Sequence, residues 1–250
     1  MKDINKKYFG IFDRILSHSA LVLISKDLGI DFLFYDNEHN SFEKNRLHDL
    51  FILGNSIGLP SLIRVAELSR REIGQMLDNG ASGIMVPMIE TREQAEKLVA
   101  YSKYPPIGNR GYSSGAHTGY GPSGGHKEIM KEKNETVVTI AQIETKKGVE
   151  NAEEIISVDG IDACIIGPVD LSISLGVTGN IMDPIELEAC KKVIDACKKH
   201  NKLVGIIGSN KILEYFKEDL NYFISFNDTS ILRSGIQNAS DTYKQLFKDN

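Results

Sequence analysis

The sequence predicts one (β/α)8 barrel of the α/β class. Three observations carry that expectation. Eight short apolar runs rich in Ile, Val and Phe recur along the chain: YFGIF (8–12), DFLFY (31–35), SLIRV (61–65), GIMVPM (83–88), VVTIAQIE (137–144), ACIIGP (163–168), LVGIIG (203–208) and YFISF (222–226). They are continuous rather than alternating, which suits parallel strands covered on both faces. Amphipathic stretches of helical period separate them. Eight such units in 250 residues match the size of a closed barrel. A doubly wound open sheet is the alternative, and eight units favour closure. No internal repeat or linker divides the chain, so residues 1–250 are read as one domain.

The helices declare their ends. RREIGQMLDNG (70–80) places Ile73, Met76 and Leu77 on one face and stops at Gly80. TREQAEKLVAYS (91–102) opens T-x-x-Q, a capping box starting at Thr91. DPIELEACKKVIDACKKH (183–200) has Asp183 as cap, Pro184 at the first helical position and lysines at its end. One segment breaks the rhythm. Residues 104–133 show no clear period and are read as a long loop insertion, a lid or a binding loop.

Composition narrows the function. The chain is 41% hydrophobic and 25% charged, ordinary for a globular protein. A net charge of −5 offers no basic surface for non-specific binding of nucleic acid. No apolar run approaches the ~18 residues of a membrane helix. The start, MKDINKKYFG, lacks the apolar core of a secretory signal. Cys164, Cys190 and Cys197 form neither C-x-x-C nor an even set, so no disulfide framework or zinc cluster is indicated. The expectation is a reduced cytoplasmic protein acting on a dissolved small molecule.

In a barrel the C-terminal strand ends form the active face. Here those ends carry Asp36, Glu38 and His39 after the second run, Arg64 in the third, Gln142 and Glu144 in the fifth, Asp170 after the sixth and Asp228 after the eighth. Glu144 and Asp170 end neighbouring strands. Two adjacent carboxylates repel unless a cation or a proton lies between them. A hard divalent ion suits such a pair, and helix capping or a rim salt bridge is the alternative. A guanidinium inside an apolar strand must meet an anion, so Arg64 makes either a structural ion pair or a substrate contact. By pattern alone His39 is an ordinary loop histidine and Asp78 a surface residue.

These residues belong to longer blocks: LGIDFLFYDNEHNS, SLIRV, LDNGASGIMVPMIETREQAEKLV, YPPIGNRGYS, QIETKKGVENAEEI and VDGIDACIIGPVDLSISLG. In these blocks the chain, from about Leu28 to about Gly235, resembles the HpcH/HpaI aldolase family of metal-dependent pyruvate aldolases. QIET-x-x-GVEN followed by GP-x-DLS-x-SLG is the specific part. The resemblance implies that Glu144 and Asp170 are metal ligands for Mg²⁺ or Mn²⁺, with Co²⁺ a further candidate. It implies that Gln142 holds the ligand sphere or the keto acid, and that Arg64 stabilises the enolate. His39 becomes the base, acting through water, with Asp78 as its charged partner and Asp36 in support. The backbone from Pro168 through Val169 to Asp170 would bind the pyruvyl carboxylate. A homo-oligomer, a hexamer built as a trimer of dimers, is implied as well. Asn40, Ala66 and Val169 depart from the family's usual residues without removing a chemical group. The N-terminal strand and first helix match poorly.

The expected reaction follows. Cleaving a 4-hydroxy-2-oxo acid to pyruvate and an aldehyde builds negative charge on the keto oxygen, which needs a Schiff base or a metal. No expected strand interior holds a lysine. Lys146 and Lys147 follow the fifth strand, and Lys202 precedes the seventh. The metal route is therefore favoured. The segment Ser113 to Tyr120 is expected to cover the aldehyde side, with His117 either touching a polar tail or solvated. The rivals are a citrate-lyase-like CoA-ester lyase, disfavoured by a short acidic chain, a phosphate-binding barrel reading GIIGSN, and a catalytically idle ligand-binding barrel.

Overall fold

The computed structural model describes residues 1–121 and 125–248. Its eight strands are β1 (Tyr8–Asp13), β2 (Phe32–Asp36), β3 (Ser61–Arg64), β4 (Gly83–Val86), β5 (Val138–Ile143), β6 (Ala163–Ile166), β7 (Leu203–Ile207) and β8 (Tyr222–Asn227). Each apolar run of the sequence became one strand. They close a parallel barrel in chain order, with β8 returning to β1 through the pairs Tyr8↔Tyr222 and Phe12↔Asn227.

Alternate residues of each strand face inward. Tyr8, Phe12, Phe32, Phe34, Val138, Ile140, Tyr222 and Ile224 fill the barrel. Burying each large side chain contributes about 1.5–3 kcal/mol. Gly10 is the gap that admits Phe32, because a Cβ there would run into its ring. The outward residues, among them Leu33, Tyr35, Ile63, Ile84 and Val204, pack against the helices in a second apolar layer.

The helical layer comprises α1 (Ser19–Asp27), α2 (Lys44–Ser56), α3 (Arg70–Asp78), α4 (Arg92–Ser102), α5 (His126–Thr136), α6 (Lys146–Glu150), α7 (Ala152–Ile156), α8 (Pro168–Ser174), α9 (Pro184–Lys199), α10 (Asn210–Tyr215) and α11 (Asp228–Leu246). The capping box at Thr91 forms, and Asp183 accepts a hydrogen bond from the Ile185 N–H at 3.0 Å. Among the described residues no helix is long and apolar enough to cross a membrane. Cys164, Cys190 and Cys197 are buried and unpaired.

The segment 104–133 differs from its reading as an irregular loop. Residues 122–124 lie outside the described part, but α5 takes up His126 onward. Only Ile129 of α5 is buried, so the helix has almost no apolar stripe to reveal its period. The segment also joins α4 to β5. Such αβ connections lie at the N-terminal floor of a barrel, away from the mouth.

A buried lysine shares that floor. Lys103 is 1% exposed, and its Nζ reaches the carbonyls of Asn134 (3.1 Å) and Val137 (2.5 Å) and Asp162 Oδ2 (3.0 Å). Burial pushes its amine down to about 8, with Asp162 opposing the shift. It is far from any strand end of the mouth.

The last helix leaves its own barrel. Residues 231–239 and 241–248 are all exposed, including Ile231, Leu232, Ile236, Tyr243 and Leu246. Beside β8 and β1 lies an apolar groove of about 620 Å³ lined by Phe9, Ile11, Ile30, Leu213, Phe223 and Phe226.

Candidate active site

The strand register builds the site. Each inward series is apolar inside the barrel and polar at its C-terminal end. Phe32 and Phe34 lead to Asp36, Leu62 leads to Arg64, and Val138 and Ile140 lead to Gln142 and then Glu144. Side chains two residues apart share a face, so these groups converge on the mouth. There they meet a cavity of about 440 Å³, lined by His39, Arg64, Gln142 and the turn Gly167–Asp170 on one side and by Phe12, Arg14 and Asn227 on the other.

Arg64 is 6% exposed and anchors the centre. Its Nε donates to Asp36 Oδ1 at 2.9 Å, and its Nη1 stands 3.0 Å from Glu38 Oε2 and 3.5 Å from Gln142 Oε1. The contact with Glu38 is an ion pair by distance without hydrogen-bond alignment. Phe12 lies under the guanidinium at 5.2 Å. The first alternative raised by the sequence, a structural ion pair, is therefore real, and the same guanidinium still lines the cavity.

The electrostatics follow from these contacts. Burial alone would raise the Asp36 carboxyl. The hydrogen bond and charge of Arg64, with the N–H groups of Glu38 and His39, outweigh burial and hold Asp36 below its ordinary value. Burial raises Glu38 despite Arg64. Burial also pushes Glu144 up to about 7, with the charges of Glu38 and Asp170 adding to it and the Met88 N–H and Arg64 opposing it.

Glu144 is 3% exposed and accepts from the Met88 N–H at 3.0 Å and from Gln142 Nε2. A Cβ on Gly167 would lie 2.5 Å from Glu144 Oε2, so glycine is what lets the turn after β6 close over this carboxylate. Asp170 is exposed on the cavity wall in the first turn of α8. Val169 and Asp170 sit where helix N–H groups have no intrahelical acceptor. Among the described residues no cluster of three or more His, Cys, Asp or Glu is built to hold a metal. Two carboxylates with open positions fit a hard divalent cation that completes its sphere with water and substrate oxygens.

The other expected residues separate. The His39 side chain is 55% exposed at the mouth, its Nε2 3.7 Å from Glu38 Oε2. Asp78 does not join it within one chain. It ends α3 at the floor, where Arg110 Nη2 holds its Oδ1 at 2.6 Å. A helix that follows a parallel strand runs back from mouth to floor, so its last residue is carried away from the strand's end. The segment Ser113–Tyr120 is also absent from the cavity wall. His117 is buried, 3.2 Å from the Tyr104 hydroxyl and 3.3 Å from the Asp78 carbonyl, and Tyr120 bonds His48 at 2.6 Å. Glu38 and Arg14 are the site residues that the sequence reading left without a role. For Arg14 the signal was present, since it continues the inward series Tyr8, Gly10, Phe12.

A closed parallel barrel is what this chain shares with a family of aldolases and lyases. The chain belongs to the HpcH/HpaI aldolase/citrate lyase family, whose model matches residues 15–216. It is 36% identical over 194 residues to the hydroxypyruvate/pyruvate aldolase of Roseobacter denitrificans, covering 77% of this chain and 75% of that one. It is 30% identical over 220 residues to the 5-keto-4-deoxy-D-glucarate aldolase of Shigella sonnei, covering 87% and 85%. The crystal structure of an HpcH/HpaI aldolase from Desulfitobacterium hafniense superposes with a TM-score of 0.92 at 28% identity, covering 98% of this chain and 95% of that one.

Proposed function

We propose that this protein is a metal-dependent aldolase that cleaves or forms the C3–C4 bond of a 4-hydroxy-2-oxo acid, with pyruvate and an aldehyde as the other side of the reaction. One observation carries the reading: a buried carboxylate, Glu144, and a cavity-wall carboxylate, Asp170, flank the turn that Gly167 opens, and Arg64 lines the same cavity. Among the described residues no lysine lines this cavity.

Glu144 and Asp170 would hold Mg²⁺, Mn²⁺ or Co²⁺. When bound, a divalent cation draws electron density from the keto carbonyl and stabilises the charge that develops there. The N–H groups of Val169 and Asp170, freed by the helix start at Pro168, hold the pyruvyl carboxylate. Gln142 fixes Glu144 and lies beside Arg64. Arg64, oriented by Asp36 and Glu38, donates to the keto oxygen as negative charge builds. His39, exposed at the mouth, takes the C4 hydroxyl proton through a water. The C3–C4 electron pair then passes into the pyruvate enolate, the aldehyde leaves, and a proton returns to C3. The base step contributes about 10²–10⁴-fold.

Hydrogen–deuterium exchange at the pyruvate methyl group, followed by NMR, tests this without knowledge of the aldehyde. We expect exchange that EDTA abolishes, Mn²⁺ restores and Glu144→Ala loses. Folded protein that exchanges no deuterium with any divalent metal overturns the reading.

We also infer a cytoplasmic homo-oligomer, with the hexamer its fuller form. The apolar stripe of α11 fits the apolar groove beside β8 and β1 of a second copy, and a reciprocal exchange buries both in each chain. Light scattering should give a multiple of the 27.7 kDa chain mass, and Ile236→Asp should lower it. A monomer in both proteins overturns this.

A further inference from the structure

We propose that Arg14 is the specificity-determining residue of this site, the anchor for an anionic group at the far end of the acceptor aldehyde. The inference deepens the aldolase reading and rests on it. Its starting point is position. β1 stands diametrically opposite β5 in the closed barrel, so Arg14 faces the Glu144 side across the mouth. A keto acid held at Glu144 and the Gly167–Asp170 turn extends its fourth carbon and beyond away from β5 and β6. The wall it then meets is made by Arg14, Ser225, Phe226 and Asn227.

Charge is the second argument. Arg64 already has two carboxylates, Asp36 and Glu38. Among the described residues the Arg14 guanidinium has no hydrogen bond, and the one carboxylate oxygen within 4.0 Å is Asp36 Oδ2, at that limit. That oxygen accepts Asn40 Nδ2 at 3.2 Å, and its partner oxygen belongs to Arg64. Arg14 thus brings a cation to the cavity wall whose charge its own chain leaves largely uncompensated. A carboxylate or phosphate on the incoming aldehyde supplies the missing partner, and a guanidinium fits both in forked geometry.

The third argument is that the loop is built. Asp228 Oδ2 accepts the N–H groups of Ile15 at 2.7 Å and Leu16 at 2.8 Å, and the Arg14 N–H also points to this carboxylate. Asp13 Oδ1 takes the Leu16 N–H at 3.0 Å. Arg14, Ile15 and Leu16 are therefore tied to Asp228 at the start of α11. A pinned backbone lowers the entropic cost of presenting the guanidinium.

Paired acceptors test the proposal. Succinic semialdehyde is compared with butanal, and glyceraldehyde 3-phosphate with glyceraldehyde, each condensed with pyruvate. The readout is the ratio of kcat/KM, charged over neutral. A charge-assisted contact predicts a ratio of about 10- to 100-fold in at least one pair, and the pair that shows it tells carboxylate from phosphate. Arg14→Gln should bring that ratio near one, and Arg14→Lys should keep part of it. A structural role would lower both members of a pair alike and leave the ratio unmoved, which would overturn the proposal, as would a wild-type ratio near one in both pairs. Pyruvate deuterium exchange, run without aldehyde, separates the two readings. Exchange without charge preference sinks the anchor alone. Absence of exchange sinks the aldolase reading and the anchor with it.

Discussion

Two carboxylate pairs stand at the same rim of the barrel and are treated in opposite ways. Asp13 and Asp228 meet where β1 and β8 end. Glu144 and Asp170 stand where β5 and β6 end. In the first pair the chain supplies everything. Asp228 gathers backbone N–H groups and stays below its ordinary value, although burial alone would raise it. Asp13 is pushed up to about 8 by burial, by its hydrogen bond with Asp228 and by the charge of that carboxylate, which favours one proton on the pair below that value. In the second pair the chain supplies one N–H and one amide to Glu144 and leaves Asp170 open to the cavity. Neighbouring carboxylates need a proton or a cation between them. The closed pair has its proton and serves structure. The open pair faces a cavity, and it is the pair we propose to hold a cation.

The contrast can be broken most strongly on the open side. Arg64→Ala removes the guanidinium that we propose meets the keto oxygen, and it strands Asp36 and Glu38. Turnover should fall about 10²–10³-fold, measured as kcat on any accepted aldol. Near-wild-type turnover would show that the pair works without it. On the closed side the effect is stability, not chemistry. Asp228→Ala leaves the N–H groups of Ile15 and Leu16 and the acid of Asp13 without their acceptor. Unfolding in urea should show a loss of about 2–4 kcal/mol. An unchanged midpoint would mean that the β1–α1 loop is held by something else.

The smallest effect sharpens the comparison through pH. Asp13 binds its proton more tightly folded than unfolded. Its contribution is therefore complete below its ordinary value of 3.8 and is lost as pH rises towards and through about 8. Asp228, held low, adds the opposite dependence at acid pH only. Asp13→Asn keeps a donor for Asp228 without a titrating proton, so its melting temperature should decline less than wild type between pH 6 and pH 9. Parallel curves would remove the shared proton from the account.

Much of this molecule was legible before folding. The eight strands, the cap at Thr91 and the polar strand ends Asp36, Arg64 and Gln142 all follow from local pattern. Helix α5 was not legible because Ile129 is its one buried residue. Arg14 escaped notice because charge at the end of a first strand is common, and its importance depends on which strand end lies across the mouth. The separation of Asp78 from His39 within one chain was hidden for a similar reason. Its block of sequence matches the family, but its direction of travel is a property of the helix that carries it.

The sequence by itself determined the fold class, the strand count and the polar ends of the strands, because apolar runs and helical periods are local and written residue by residue. Tertiary structure alone decided which charges meet. Barrel closure sets Asp13 beside Asp228, more than two hundred positions along the chain, and sets Arg14 across from Glu144. Within one chain it sets Asp78 beside Arg110 at the floor and leaves His39 at the mouth. Charge pairing depends on distance in space, and only a closed ring of strands converts chain order into those distances.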